Sequence, residues 1–368
     1  MEVGIVTERL DRSKRGGLEN YTKLLIENIL KNKNGHNISL IHYRKYSDPL
    51  YSKAKEIIIP LRLIPPRKVI SNIMASHYLN EIEVLHIPVP TTSENTLFLL
   101  HDAKKVLTIH DLRYFSQYQS LKMNPNLKEW FYAKPWKLTL QLIKNRIDRV
   151  IAVSKSTKRD ILKYLKIPEE KIRVIYEAPD EKFRRISVEI PNYIDSPFIL
   201  SNNIDSTLIE IYHKLRKKGL KHKLVVFGMR KAYMNKLGRM FEELNLYKDI
   251  ILAGYVSDEE LVKLYNTASL FIRNFQYEGF GLPPLEAMAC GCPVVASNIG
   301  ALPEVIGDAG ILAKPYGIDE WVEAMYEVLT NEGLRQDLIK KGLKRAKMFS
   351  WEKAAEETYK VYEEVYAQ

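Results

Sequence analysis

Short apolar runs alternate with amphipathic stretches along this chain, and the alternation plays through twice. In the first half, residues 2–7, 37–43, 56–60, 84–88, 105–111, 149–154 and 171–178 read as strands, with helices expected over 17–31, 67–79, 127–145 and 155–165. A second series opens at 198–201 and continues through 223–228, 250–255, 269–273, 293–297 and 310–313, with helix between the strands and over most of 318–368. A parallel pair of strands needs a crossover connection, so this alternation predicts parallel sheets covered by helices on both faces. Two such series predict an α/β protein of two Rossmann-like domains facing a central cleft, with ligands at the carboxyl ends of the strands. The expected boundaries are an N-terminal domain over 1–180, a linker over 181–196, a C-terminal domain over 197–350 and a helix over 351–368 returning to the N-terminal domain. The linker is placed where charge is dense and apolar periodicity lapses.

At 368 residues the chain is long enough for two such domains. It carries no apolar run of membrane-spanning length, and residues 1–5 lead directly into charge rather than into a signal peptide. Its two cysteines, Cys290 and Cys292, flank one glycine; that spacing strains a disulfide and lacks partners for zinc, so a reduced, cytoplasmic protein is expected. The net charge of +11 is lopsided: residues 1–185 hold 34 Lys and Arg against 20 Asp and Glu, the remainder 22 against 25. The basic half suits an anionic partner such as a membrane surface or a phospholipid-linked substrate, and a solvated basic face explains it equally well. No nucleic-acid recognition module is visible, so specific nucleic acid is not expected.

The densest chemistry lies in Asn274-Phe-Gln-Tyr-Glu278-Gly-Phe-Gly281-Leu-Pro-Pro284-Leu-Glu286. Two carboxylates stand eight positions apart around a glycine-rich turn, and the prolines suit the first turn of a helix. Amides at a positive helix end fit a phosphate, and carboxylates fit sugar hydroxyls. Together they describe a grip on a phosphorylated sugar.

This string closely resembles the Glu-x7-Glu motif of the retaining glycosyltransferases of family 4, which have the two-domain GT-B fold. The resemblance continues through Leu252-Ala-Gly254-Tyr-Val-Ser257, Ile299-Gly-Ala-Leu-Pro303-Glu304 and Phe349-Ser-Trp351-Glu, and it weakens in the first half. It implies a metal-independent enzyme with no cofactor, moving a sugar from a nucleotide-diphosphate sugar to a hydroxyl of a glycan, lipid-linked or small-molecule acceptor. It further implies that Glu286 binds ribose, that Glu278 meets the sugar ring as a catalytic residue, and that Gly279, Phe280, Gly281 and Leu282 line the donor. His110 and Asp111, ending a buried strand, resemble the family's pair near the reacting sugar. Gly16 and Gly17, opening the first helix, would let the backbone approach the donor phosphate or acceptor, and a plain helix-entry turn explains them equally well. Ser154 reads as a helix N-cap. An acceptor held at the inner face of a membrane fits the basic half, and the run Trp130-Phe-Tyr-Ala-Lys-Pro-Trp136-Lys suits either lipid contact or core packing.

One departure stands out. The family's second domain opens with an Arg-Lys pair that clamps the diphosphate, and no Arg or Lys occurs here between Arg185 and Lys214. Arg230, Lys231 and Arg273 are the candidate replacements, and solvated surface cations are the plain alternative. A weakened or non-catalytic subunit of the same fold, or a sugar-nucleotide epimerase, therefore stays open as a second reading.

Overall fold

In a computed structural model, the structure describes residues 1–8, 10, 17–32, 35–45, 48–60, 71–72, 75–91, 95, 97–113, 115, 127–229 and 231–368, with side chains left out at 76, 100, 127–133 and 231–236. The chain divides into two compact units, one of residues 1–177 with 350–368, the other of residues 178–349.

Among the described residues the first unit holds seven parallel strands: β1 (Glu2–Val6), β2 (Asn37–His42), β3 (Lys55–Ile58), β4 (Val84–Ile87), β5 (Lys104–Ile109), β6 (Arg149–Ala152) and β7 (Ile172–Val174). Their order is β3-β2-β1-β4-β5-β6-β7, so the connectivity reverses direction between β1 and β4. Helices α1 (Gly17–Lys31), α2 (Leu127–Ile143) and α3 (Lys155–Asp160) cover the sheet together with α11 (Trp351–Tyr366), which arrives from the far end of the sequence. Both faces of the central strands are covered, which is why β4 is a run of buried residues rather than an alternating pattern. The Ser154 side chain caps α3, accepting from Thr157 N–H at 2.9 Å.

In α11, Trp351, Ala355, Tyr359, Tyr362 and Val365 recur at helical spacing and are all buried. Tyr359 Oη donates to the carbonyl of Ile29 at 2.8 Å, and Tyr362 Oη lies 2.6 Å from Nδ1 of His86 in the middle of β4. His86 Nε2 meets Thr108 Oγ1 at 2.8 Å, and burial pushes the ring down to about 3, so it sits neutral in the core. Helix was expected over 67–79; in its described part residues 71–72 are helical and Ala75–Tyr78 form a 3-10 turn.

The second unit holds six parallel strands: β8 (Phe198–Ser201), β9 (Lys223–Phe227), β10 (Ile250–Gly254), β11 (Leu270–Arg273), β12 (Val294–Ser297) and β13 (Ile311–Ala313). They are ordered β10-β9-β8-β11-β12-β13, with the reversal between β8 and β11. Around them lie α4 (Ser206–Lys217), α5 (Lys231–Glu243), α6 (Asp258–Thr267), α7 (Leu282–Ala289), α8 (Leu302–Ile306), α9 (Ile318–Thr330) and α10 (Glu332–Ala346).

The segment read as a linker lies along α6 inside this unit. Phe183 meets Tyr265 edge-on at 5.9 Å, Ile186 N–H donates to Asn266 Oδ1 at 2.8 Å, and Tyr193 Oη donates to Glu260 at 2.7 Å. In each unit the reversal point of an open parallel sheet leaves a crevice at the strand ends, the usual place for a ligand.

Candidate active site

In the second unit, Glu278 and the turn into α7 follow β11, one of the two strands between which the sheet order reverses. Gly281 ends the turn after Glu278 at φ 112°, and a Cβ there would stand 2.9 Å from Leu302 Cδ2, so only glycine fits. The chain then enters α7, with Pro283 and Pro284 in its first turn where their missing N–H groups cost nothing. Phe280 turns inward, 3% exposed and edge-on to Phe349 at 5.8 Å, so only its backbone faces the turn.

Glu278 is held from two sides. Its carbonyl accepts from Ala301 N–H at 3.1 Å, and Gly300 passes so close that a Cβ would fall 2.4 Å from that oxygen. Its carboxylate meets Arg273, whose Nε and Nη2 both donate to Oε2, at 2.8 and 2.5 Å. Arg273 Nη1 donates to Asn202 Oδ1 at 2.6 Å, and Phe275 lies against the guanidinium face at 3.5 Å. The side chain of Arg273 is 8% exposed and that of Glu278 17%. Arg273, a candidate from sequence for holding the diphosphate, is thus a buried partner of Glu278.

Glu286 sits one turn further into α7, partly buried, with Tyr265 Oη donating to Oε2 at 3.4 Å. Burial pushes its carboxyl up to about 7; Lys182 and the Tyr265 hydrogen bond pull it down, and Asp258 and Asp180 push it up. Lys182 itself lies 2.9 Å from Asp180 and 2.6 Å from Asp258. Burial works against its charge, but those two bonds outweigh it and hold the ammonium above its ordinary value. Lys182 was not singled out from sequence, since it falls in the segment read as linker. Cys290, at the end of α7, is a buried thiol pushed up to about 12, first by burial and then by Glu286, and is unreactive.

In the first unit, His110 and Asp111 follow β5. His110 Nε2 is 2.9 Å from the carbonyl of Pro88, which can only accept, and Nδ1 is 3.0 Å from Glu177 Oε1. A proton therefore lies on Nε2. Both ring nitrogens are occupied, so His110 presents its ring and backbone rather than a free base. Tyr21 packs edge-on against it at 4.4 Å, and Thr157 Oγ1 donates to its carbonyl at 3.1 Å. Asp111 accepts from Arg113 N–H at 3.2 Å.

Gly17 is the first residue of α1; Gly16 and Arg230 lie outside the described residues. Lys231 opens α5, its side chain likewise outside them. In the aromatic run, Trp136 is turned inward, Nε1 donating to the carbonyl of Pro90 at 3.1 Å, while Lys134 and Lys137 face outward. Among the described residues, no group of three or more His, Cys, Asp or Glu is placed to hold a metal ion, and no helix is long and apolar enough to cross a membrane.

Residues 15–182 match the family model described as Glycosyltransferase Family 4, and residues 204–345 the model described as Glycosyl transferases group 1. The chain is similar to the serotype-specific mannosyltransferase WbdA of Escherichia coli, 29% identical over 271 residues, which are 68% of this chain and 32% of that protein. It is also similar to the O-antigen chain mannosyltransferase B of Escherichia coli, 38% identical over 156 residues, 42% of this chain and 41% of that one. The chain thus spans well under half the length of either relative. In fold it resembles Anabaena HepE, solved in complex with UDP and glucose, with a TM-score of 0.72 at 15% identity over 99% of both chains.

Proposed function

We propose that this chain, a glycosyltransferase with the GT-B fold, is a retaining, metal-independent enzyme that moves a sugar from a nucleotide-diphosphate sugar to an acceptor hydroxyl. The observation that carries this reading is the pair of carboxylates fixed on either side of the turn into α7, Glu278 by Arg273 and Gly300, Glu286 by Tyr265. Glu286 accepts the ribose hydroxyls and Glu278 a hydroxyl of the sugar ring, while the turn from Gly279 to Leu282 lies along the sugar and phosphates. Charge that builds on the leaving diphosphate is met by the positive end of α7. The leaving phosphate takes the acceptor proton on the same face of the sugar, which retains configuration. In the first unit, His110 and Asp111 act on a bound ligand, His110 through its ring and backbone because Pro88 and Glu177 take its two nitrogens. The mannosyltransferase relatives favour an enzyme over a non-catalytic subunit and make a mannose donor the first to try.

A thermal-shift screen against nucleotide sugars, with mannose donors first, tests the reading. One donor is expected to raise the melting temperature in proportion to the logarithm of its concentration, because it binds the native state alone. That donor is then expected to be consumed only when an acceptor is present, with chelator making no difference; conversion to an epimer without acceptor would refute the transferase reading.

The acceptor is lipid-linked and reached at a membrane surface. Leu138 and Leu142, one turn apart on α2, are 60% and 57% exposed beside the outward Lys134 and Lys137. The chain is expected to sediment with vesicles containing anionic lipid, and Leu138→Asp/Leu142→Asp to reduce the bound fraction severalfold. Equal sedimentation of both with neutral vesicles would remove the membrane from the proposal.

A further inference from the structure

We propose that Arg273 is the positioning residue that aims Glu278 at the donor sugar, braced for that task by Asn202 and Phe275. This rests on the reading above that Glu278 meets the sugar. It adds a residue that works through the carboxylate rather than on the phosphates.

The geometry argues each part. Nε and Nη2 converge on one oxygen, Oε2, so the carboxylate cannot swing about its last bond without breaking both contacts. Oε1 makes no hydrogen bond among the described residues, which leaves a single oxygen, fixed in direction, for the ligand. The guanidinium is itself immobilised: Nη1 is tied to Asn202 at the end of β8, and its face rests on Phe275. Asn202 directly follows β8 and Arg273 ends β11, the two neighbouring strands between which the sheet order reverses, so the brace lies at the strand ends where a ligand of such a sheet sits. Three directed contacts from one planar group need arginine; an ammonium is a point charge without the fork. A cation 8% exposed, with its nitrogens donating inward, is badly placed to clamp a diphosphate.

The test compares Arg273→Met, Arg273→Lys, Glu278→Gln and the double variant Arg273→Met/Glu278→Gln with the parent chain. It uses the donor and acceptor that give turnover, and the free nucleoside diphosphate of that donor as binding probe. Arg273→Met is expected to lower kcat roughly 100-fold while the Kd of the free nucleoside diphosphate stays within about threefold. Arg273→Lys is expected to recover no more than about a tenth of the parent kcat, since the fork is gone. Adding Arg273→Met to Glu278→Gln is expected to bring little further loss, because both changes act on one unit.

Losses that multiply in the double variant, or a nucleoside diphosphate Kd weakened about tenfold or more with kcat intact, would overturn the proposal and make Arg273 a phosphate ligand. Should Arg273→Met fail to fold, Asn202→Ala keeps the ion pair and removes the brace. It is expected to lower kcat severalfold at an unchanged melting temperature, and an unchanged kcat would overturn the proposal. A parent chain that binds and turns over no nucleotide sugar would refute the functional reading itself, an outcome separable from failure of the variants alone.

Discussion

Glu286→Gln is expected to abolish measurable binding of nucleoside diphosphates and their sugars, and donor affinity in the parent chain to rise as the pH is raised through about 7. Ribose hydroxyls donate, and an ionised carboxylate offers two acceptor oxygens where an amide offers one oxygen beside a donor. The groups facing this carboxyl are Lys182 and Asp180 from the segment before β8, Asp258 and Tyr265 from α6, and Cys290 at the end of α7. Burial holds Tyr265 and Cys290 neutral, so Glu286 is the group that changes charge near neutrality. Below pH 7 its affinity for donor should fall by up to about tenfold per pH unit.

The stability of the unliganded protein runs the other way. A carboxyl raised above its unfolded value contributes stability in full at pH below the ordinary carboxylate range, and that contribution is lost as the pH rises through about 7. The loss is at most about 3 kcal/mol. Glu286→Gln should therefore melt higher than the parent chain above pH 7 while no longer binding donor. Calorimetric titration and melting curves at pH 5, 6, 7 and 8 check both halves, and donor affinity that is flat with pH or survives the substitution would dismiss Glu286 as the ribose ligand.

Gly300→Ala is expected to damage both fold and activity without touching a charged group. The residue sits at φ 60°, where a side chain is disfavoured, and the added carbon would fall 2.4 Å from the carbonyl oxygen of Glu278 and 3.0 Å from its nitrogen. Neither neighbour is a flexible side-chain tip, so backbone must move and the bond from Ala301 N–H to Glu278 is strained. The cost to stability is about 2–4 kcal/mol. A shift of Glu278 near 1 Å should lower transfer by roughly two orders of magnitude. Parent-like melting together with parent-like turnover would show that this loop does not hold Glu278.

The strands were legible because buried parallel strands are written as short apolar runs, and the thirteen among the described residues fall where those runs lie. The two glutamates were legible because the turn and prolines between them are chemistry in sequence order. What escaped lies between distant positions. Arg273 reads in sequence as a cation at a strand end, and only the fold sets Asn202, 71 positions away, against its guanidinium. His110 likewise gives no sign of Glu177, 67 positions on, which occupies one of its nitrogens. Residues 181–196 read as linker because they dock through isolated contacts, Phe183 on Tyr265 and Tyr193 on Glu260, that have no period to detect. Gly300 was quoted within a resemblance, but the reason for a glycine there is a neighbour's backbone, which no local pattern encodes.

The placement of α11 in the first unit has a consequence for biosynthesis. Residues 1–177 are synthesised before residues 350–368, yet the face of β4, β5 and β6 that α11 covers stays open until residues 350–368 have been made. The second unit, continuous in sequence, can complete its core earlier. The order of maturation is therefore the reverse of the order of translation. During that interval, a nascent chain presents an apolar face that holdase chaperones would recognise.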